Sequence, residues 1–211
     1  MSATGAAPAP RRFPGVRAPR RLLPPESERK LTERQRQVLD QLEGLVADDG
    51  LAELTMADIA AQVNCSLRTL YGISPSKDAL LLAVVDRRLH RIGRKAVAAM
   101  DASLSPLDAV RAYLHAANEA VQPTTVAFAR DFGDLPGAKR LLDSHEEYLI
   151  AVTRSLLDRA VDEGQIASVD TGAIAHVLGG LGREFTRRAA TSPKQTADAV
   201  AEIILRGLPR S

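Results

Sequence analysis

Ser66, Arg68, Thr69 and Tyr71 place two small hydroxyls, a guanidinium and a phenol within six residues. Carried on one short helix, this set can read nucleic acid. Arg68 can make a two-pronged hydrogen bond to a guanine edge. Thr69 and Tyr71 can bond phosphate or touch a thymine methyl, and Leu67 lies at the same end. Ser66 stands where a helix would start, so its hydroxyl can accept an otherwise orphaned amide. Thr55 and Lys77 stand at two further helix starts, where backbone amides and the helix dipole favour phosphate. Each residue also has a plainer role. Thr55 and Ser66 can be caps and nothing more, Tyr71 can pack against a neighbouring helix, and Arg68 and Lys77 can be solvated charge.

Other chemistry is poorly supplied. The four histidines stand apart at 90, 115, 145 and 176, with no metal-ligand spacing. His145-Glu146-Glu147 lacks the second histidine of a zinc-protease helix. The single cysteine, Cys65, rules out an intrachain disulfide and reads as a small packing residue. There is no glycine-rich phosphate loop. An enzyme is therefore not expected, nor a cofactor, nor a metal. A reducing cytoplasm, in contact with the nucleoid, is the expected compartment. No apolar run is long enough to span a membrane.

The elements that must position Arg68 are helical. With three Tyr, four Phe and no Trp in 211 residues, Leu, Val, Ile and Ala must fill the core, which suits helices. Thr32 and Gln35 form a capping box. Val38, Leu39, Leu42, Leu45 and Val46 then repeat at helical spacing until Asp48-Asp49-Gly50. Thr55 and Asp58 cap a second, short helix lined by Ile59, Ala60 and Val63. Asn64-Cys65 turns the chain, Ser66 caps a third helix, and Leu70 reaches back to the same core. Three short helices with a tight turn between the second and third make a helix-turn-helix unit. Pro75 stops the third helix. Ser76 caps a fourth, which runs to about residue 99. Further helices are expected from Ser105-Pro106 to about Val121, from Pro123 to near Gly133, over 137–163, from Thr171 to about Ala190 behind Asp170, and after Ser192-Pro193. No strand pattern is present.

Charge is unevenly spread. Residues 1–30 hold seven Arg or Lys against two Glu, and residues 31–80 hold only Arg34, Arg36, Arg68 and Lys77 against eight acidic residues. Phosphate neutralisation supplies most non-specific affinity for DNA. The Pro-rich opening, expected to be disordered, would supply it through Arg11, Arg12, Arg17, Arg20 and Arg21. A solvated tail is the alternative.

The stretch "LTMADIAAQVNCSLRTLYGISPSKDALLLAVVD" resembles the N-terminal domain of TetR-family transcription regulators. Thr55, Ile59, Ala60, Ser66, Thr69, Leu70, Tyr71, Pro75, Ser76 and Lys77 match the family pattern. Four positions depart from it: Asn64 replaces a glycine in the turn, and Gly72, Ile73 and Ser74 stand where an aromatic, a histidine and a phenylalanine that packs the recognition helix are usual. The resemblance implies an all-α protein: a disordered arm over 1–30, a three-helix helix-turn-helix domain over 31–78, and a helical ligand-binding and dimerisation domain over 79–211, joined through the fourth helix. It implies double-stranded DNA as partner and a homodimer formed through about 171–190 and 194–207, where Gly179, Gly180 and Gly182 would allow close approach. It also implies a small-molecule effector in the middle helices. Tyr113, His115, Phe128, Phe132, Tyr148, His176 and Phe185 are the candidates to line its cavity, with Arg183 available to an anion. Scarce aromatics and the lack of clustered charge point to an apolar effector. The expected function is that of a repressor released from a palindromic operator. The alternatives are an activator and a ligand-independent or architectural DNA-binding protein.

Overall fold

A computed structural model describes residues 13–48, 54–121, 132–187 and 192–210. Among them the regular elements are all helical: α1 (Pro25–Lys30), α2 (Glu33–Asp48), α3 (Met56–Gln62), α4 (Leu67–Tyr71), α5 (Lys77–Ala98), α6 (Pro106–Ala117), α7 (Ala138–Asp162), α8 (Thr171–Arg187) and α9 (Pro193–Arg206). A 3₁₀ turn over Asn118–Val121 closes α6, where the sequence pattern predicts α-helix throughout. The helix expected after Pro123 lies mostly outside the described residues.

Two cores divide the molecule. In the first, Val38, Leu39 and Leu42 of α2, Ile59 of α3, Leu70 of α4 and Leu80, Leu81 and Val84 of α5 are fully buried together. In the second, Val110 and Tyr113 of α6, Leu156 and Leu157 of α7, Leu178 of α8 and Leu205 of α9 pack around Ala96 near the end of α5. The packing therefore changes hands inside α5, between Leu89 and Ala96. Helix α7 is shared too: Ala138 and Leu141 join the first core, and Val152 onwards joins the second. Two long helices thus run through both cores, which makes them the mechanical link between the halves.

Residues 13–30, expected to be disordered, lie against the body. Phe13 and Val16 pack on the second core and Leu23 on the first. The Leu22 amide donates to Asp86 Oδ2 at 2.8 Å. Proline removes donors but leaves these apolar anchors and this one amide, and they suffice to dock the segment. Residues 1–12 lie outside the described residues.

Gly179 also differs from expectation. A Cβ there would stand 2.5 Å from Ile150 Cγ1, and one on Gly180 would meet Glu146. Both glycines face α7 within the same chain, so the close approach they permit is internal. Ser192 precedes α9 but makes no side-chain cap; its carbonyl takes the Thr196 amide and hydroxyl instead.

Candidate nucleic-acid interface

Three caps set the helix-turn-helix. Thr32 and Gln35 exchange the two bonds of a capping box at the start of α2. Thr55 accepts from the Asp58 amide, and Asp58 accepts from the Thr55 amide and hydroxyl. The hydrogen bonds from Thr55 hold the Asp58 carboxyl below its usual range. Ser66 Oγ accepts from the Thr69 amide at 3.1 Å and lies 2.9 Å from Thr69 Oγ1. In this structure the hydroxyls of Thr55 and Ser66 are thus committed to their own helix starts.

The turn between α3 and α4 is closed twice over. Asn64 is left-handed at φ 47°, and the amides of Asn64 and Cys65 return to the carbonyls of Ala61 and Ala60. This is a Schellman ending with asparagine in glycine's place. Arg34 then reaches over from α2 and donates to the carbonyls of Val63 and Asn64 at 3.1 and 2.6 Å. Arg34, one of the four cations of residues 31–80, is thus a clamp on the turn. A cation in the first turn of α2 was the only local hint of this.

What remains outward-facing on α4 is its reading edge. Leu67 and Tyr71 are 43% and 54% exposed, and Arg68 is exposed between them. Leu70, on the opposite side, is fully buried. Ile73 packs on the first core beside a buried Ser74, so the isoleucine occupies the inner position next to the substituted phenylalanine site. Lys77 opens α5 behind the Ser76 cap. Of the arm, Arg17 and Arg20 are exposed, whereas Arg21 pairs with Glu28 at 3.3 Å. Arg11 and Arg12 lie outside the described residues.

The residues named for an effector cavity are not gathered in one place. Tyr113 is buried in the second core with Tyr148 packed against that core, and burial raises both phenol pKa values. Phe132 lies in the first core. His115 and His176 are exposed, Phe185 is half-buried, and Phe128 is outside the described residues. Arg183 donates to Asp143 and Glu146 on α7 at 2.8 and 2.7 Å, so its charge is already answered. A groove of about 390 Å³ does lie between α6 and α9, lined by Arg111, Leu114, His115, Asp198, Glu202 and Leu205.

A different group is brought together that the sequence left scattered. Asp86, His90 and His145 have donor atoms that all lie within 4.8 Å of one another. Asp86 is 2% exposed. Burial alone would raise its carboxyl pKa, but His145, His90 and the Leu22 amide together hold it well below the usual carboxylate range. The one available signal was Asp86 and His90 at i, i+4 on a single helix; His145 arrives from α7.

The geometry has close parallels. A TetR transcription regulator from Haloarcula marismortui superposes with a TM-score of 0.71 at 19% identity, covering 83% of this chain and 98% of that one. The fold is that of the TetR-family regulators. A TetR-like transcriptional regulator from Rhodococcus sp. RHA1 gives 0.58 at 25% identity, with 82% and 93% covered. Regulatory protein TetR from Rhodobacter sphaeroides gives 0.68 at 18% identity, with 84% and 100% covered. No protein-family model and no curated protein matches the sequence. The TetR fold here is thus carried by patterning and packing at low identity. Among the described residues no helix is long and apolar enough to cross a membrane.

Proposed function

We propose that this chain is a sequence-specific DNA-binding transcription regulator that works as a homodimer. The observation that carries this reading is the edge Leu67–Arg68–Tyr71, exposed on a helix whose other side is pinned by Leu70 and whose start is fixed by Ser66. A helix-turn-helix presents the N-terminal end of its second helix to base edges. The solved structures of this fold that are described as transcription regulators support the same reading. Arg68 is assigned to base reading, Thr69 and Tyr71 to phosphate or thymine contact, and the amide-rich start of α5 with Lys77 to phosphate.

Charge shapes the mode of binding. Of the four cations in residues 31–80, Arg34 clamps the turn and Arg36 holds the Leu31 carbonyl and Glu33. The arm, through Arg17 and Arg20, supplies phosphate affinity and most of the salt dependence. Pairing of two reading heads uses α8 and α9, where Val177 and Ile203 are large apolar side chains left 53% and 70% exposed. An effector that releases the operator is sought first in the groove between α6 and α9. Its charged lining widens the search beyond apolar molecules.

Selection of genomic fragments by the purified protein, followed by footprinting with wild type and Arg68→Ala, tests the reading. One short palindrome, relaxed at one base pair in each half-site by the variant at a cost of about 1–3 kcal/mol, is the expected result. Weak binding to every fragment, fading with salt and indifferent to Arg68, would replace it with an architectural role carried by the arm.

A further inference from the structure

We propose that Asp86, His90 and His145 form a binding site for a divalent transition metal of the zinc class, placed where the arm, α5 and α7 meet. Three observations converge on it. First, the donors already stand near ligand spacing. His145 Nε2 lies 3.1 Å and His90 Nε2 lies 3.4 Å from the same oxygen, Asp86 Oδ1. Zinc bonds to nitrogen and oxygen of about 2.0–2.2 Å in a tetrahedron imply ligand-to-ligand distances of about 3.3–3.6 Å. An ion can therefore enter with sub-ångström adjustment of these two edges.

Second, the outer support of a ligand is in place. Asp86 Oδ2 is held by the Leu22 amide at 2.8 Å. One carboxylate oxygen is thereby anchored and the other is left facing both imidazoles. Hydrogen bonds of this kind orient metal-binding carboxylates and tune their affinity. Third, one donor is poorly used. His90 Nε2 is buried, and among the described residues it makes no aligned hydrogen bond, its neighbour Asp86 Oδ1 standing 3.4 Å away. Buried polar atoms without partners are rare in folded proteins and call for an explanation. The two rings meet edge to face with centroids 4.8 Å apart, so both present nitrogen to the same space.

Most of the nearby arginine charge is answered by carboxylates. Arg87 is taken up by Glu28, Asp40 and Glu43, Arg91 by Glu43 and Arg21 by Glu28, while Arg94 also lies at the edge of the adjoining cavity. A cavity of about 120 Å³, lined in part by Asp86 and His90, lies alongside and has room for a water as fourth ligand. Two imidazoles and one carboxylate favour zinc or a neighbouring first-row ion over magnesium or calcium, which prefer all-oxygen sites. Because Asp86 and His90 belong to α5, His145 to α7 and Leu22 to the arm, an ion there would pin all three together.

The full chain without an affinity tag, stripped with chelator and dialysed, is titrated with Co²⁺ in the visible range and with Zn²⁺ by calorimetry. One ion per chain is expected, with the intense d–d bands of a low-coordinate site and a rise in Tm on adding Zn²⁺. His90→Ala and His145→Ala each remove a direct ligand, so each should weaken binding by more than the roughly tenfold that loss of an outer-shell partner costs and should shrink the Tm rise accordingly. Cys65→Ala should change neither. His145→Asn, which keeps a donor toward Asp86, should fold as wild type by circular dichroism yet lose the metal. Equal binding by wild type and the His90→Ala/His145→Ala pair, or no d–d bands from wild type, would overturn the proposal and leave the cluster as a structural hydrogen-bond group.

Discussion

In the reading head, the three helix starts at Thr55, Ser66 and Ser76 are each closed by a side chain three residues from the amide it caps. At the junction, the contacts from Leu22 to Asp86, Glu28 to Arg87 and Asp86 to His145 span 59 to 64 residues. The head combines local caps, each contributing about 1 kcal/mol, with the Arg34 clamp and a core in which Leu70 is the fully buried anchor of α4. The junction is a set of ionic and polar groups brought together only when the arm, α1, α2, α5 and α7 pack against one another. The contrast separates what each region can do. A locally built head can keep its shape while it moves as a body, whereas a junction built from distant segments senses their relative placement.

The largest effect is expected where the head depends on more than its caps. Leu70 is the α4 residue that is fully buried in the first core. Leu70→Ala should destabilise the protein by about 2–5 kcal/mol, the range for emptying a buried leucine site, and should abolish specific footprinting by letting α4 rotate. Urea unfolding followed at two wavelengths measures the first and DNase protection the second. A loss below about 1 kcal/mol would mean that the caps alone orient the head.

A smaller effect is expected at the junction. Arg87 binds Glu28, Asp40 and Glu43, the last only 6% exposed. Arg87→Ala would leave Glu43 with Arg91 alone. Losing one partner of a buried pair costs about 3–5 kcal/mol in full burial. Arg87 is about a quarter exposed and Arg91 remains, so about 2 kcal/mol is expected here. Amide exchange should quicken in α1 and mid-α5 while the capped amides of Asp58 and Thr69 keep their protection. Equal loss of protection in both places would show that head and junction are one cooperative unit and would break the comparison.

The same contrast explains what could be read in advance. The caps at Thr32, Thr55, Ser66, Ser76 and Ser105, the Asn64 turn and the Gly164 ending at φ 68° are signals confined to a few neighbouring residues. Helices α2 to α9 and their order follow from such signals, and so does the exposed face of α4, whereas α1 (Pro25–Lys30) falls in the segment expected to be disordered. The docking of residues 13–24, the Arg34 clamp and the meeting of His145 with Asp86 depend on where α2, α5 and α7 cross. No periodicity in one segment encodes that crossing. Gly179 shows the limit from the other side: its small size was legible, but the helix it serves was not, because Ile150 lies in a separate helix.

The smallest expected effect is the sharpest probe, because Gly72 lies where local and distant demands oppose each other. Its φ of −73° is open to any residue, so nothing in the backbone requires glycine. Alanine would favour helix by up to about 1 kcal/mol. Yet a Cβ there would stand 2.5 Å from Gln35 Nε2, and Gln35 is the residue that accepts the Thr32 amide in the capping box of α2. To make room the glutamine must swing away and weaken that cap, at a cost of about 0.5–1.5 kcal/mol. The two terms nearly cancel, so Gly72→Ala should shift stability by less than about 1 kcal/mol in either direction. The informative measurement is the cycle with Gln35→Ala. With the glutamine removed, the alanine should stabilise by more than it does in the wild-type background. Equal effects in both backgrounds would mean that Gln35 moves without cost and that the glycine answers to something else on the reading edge, the space next to Arg68.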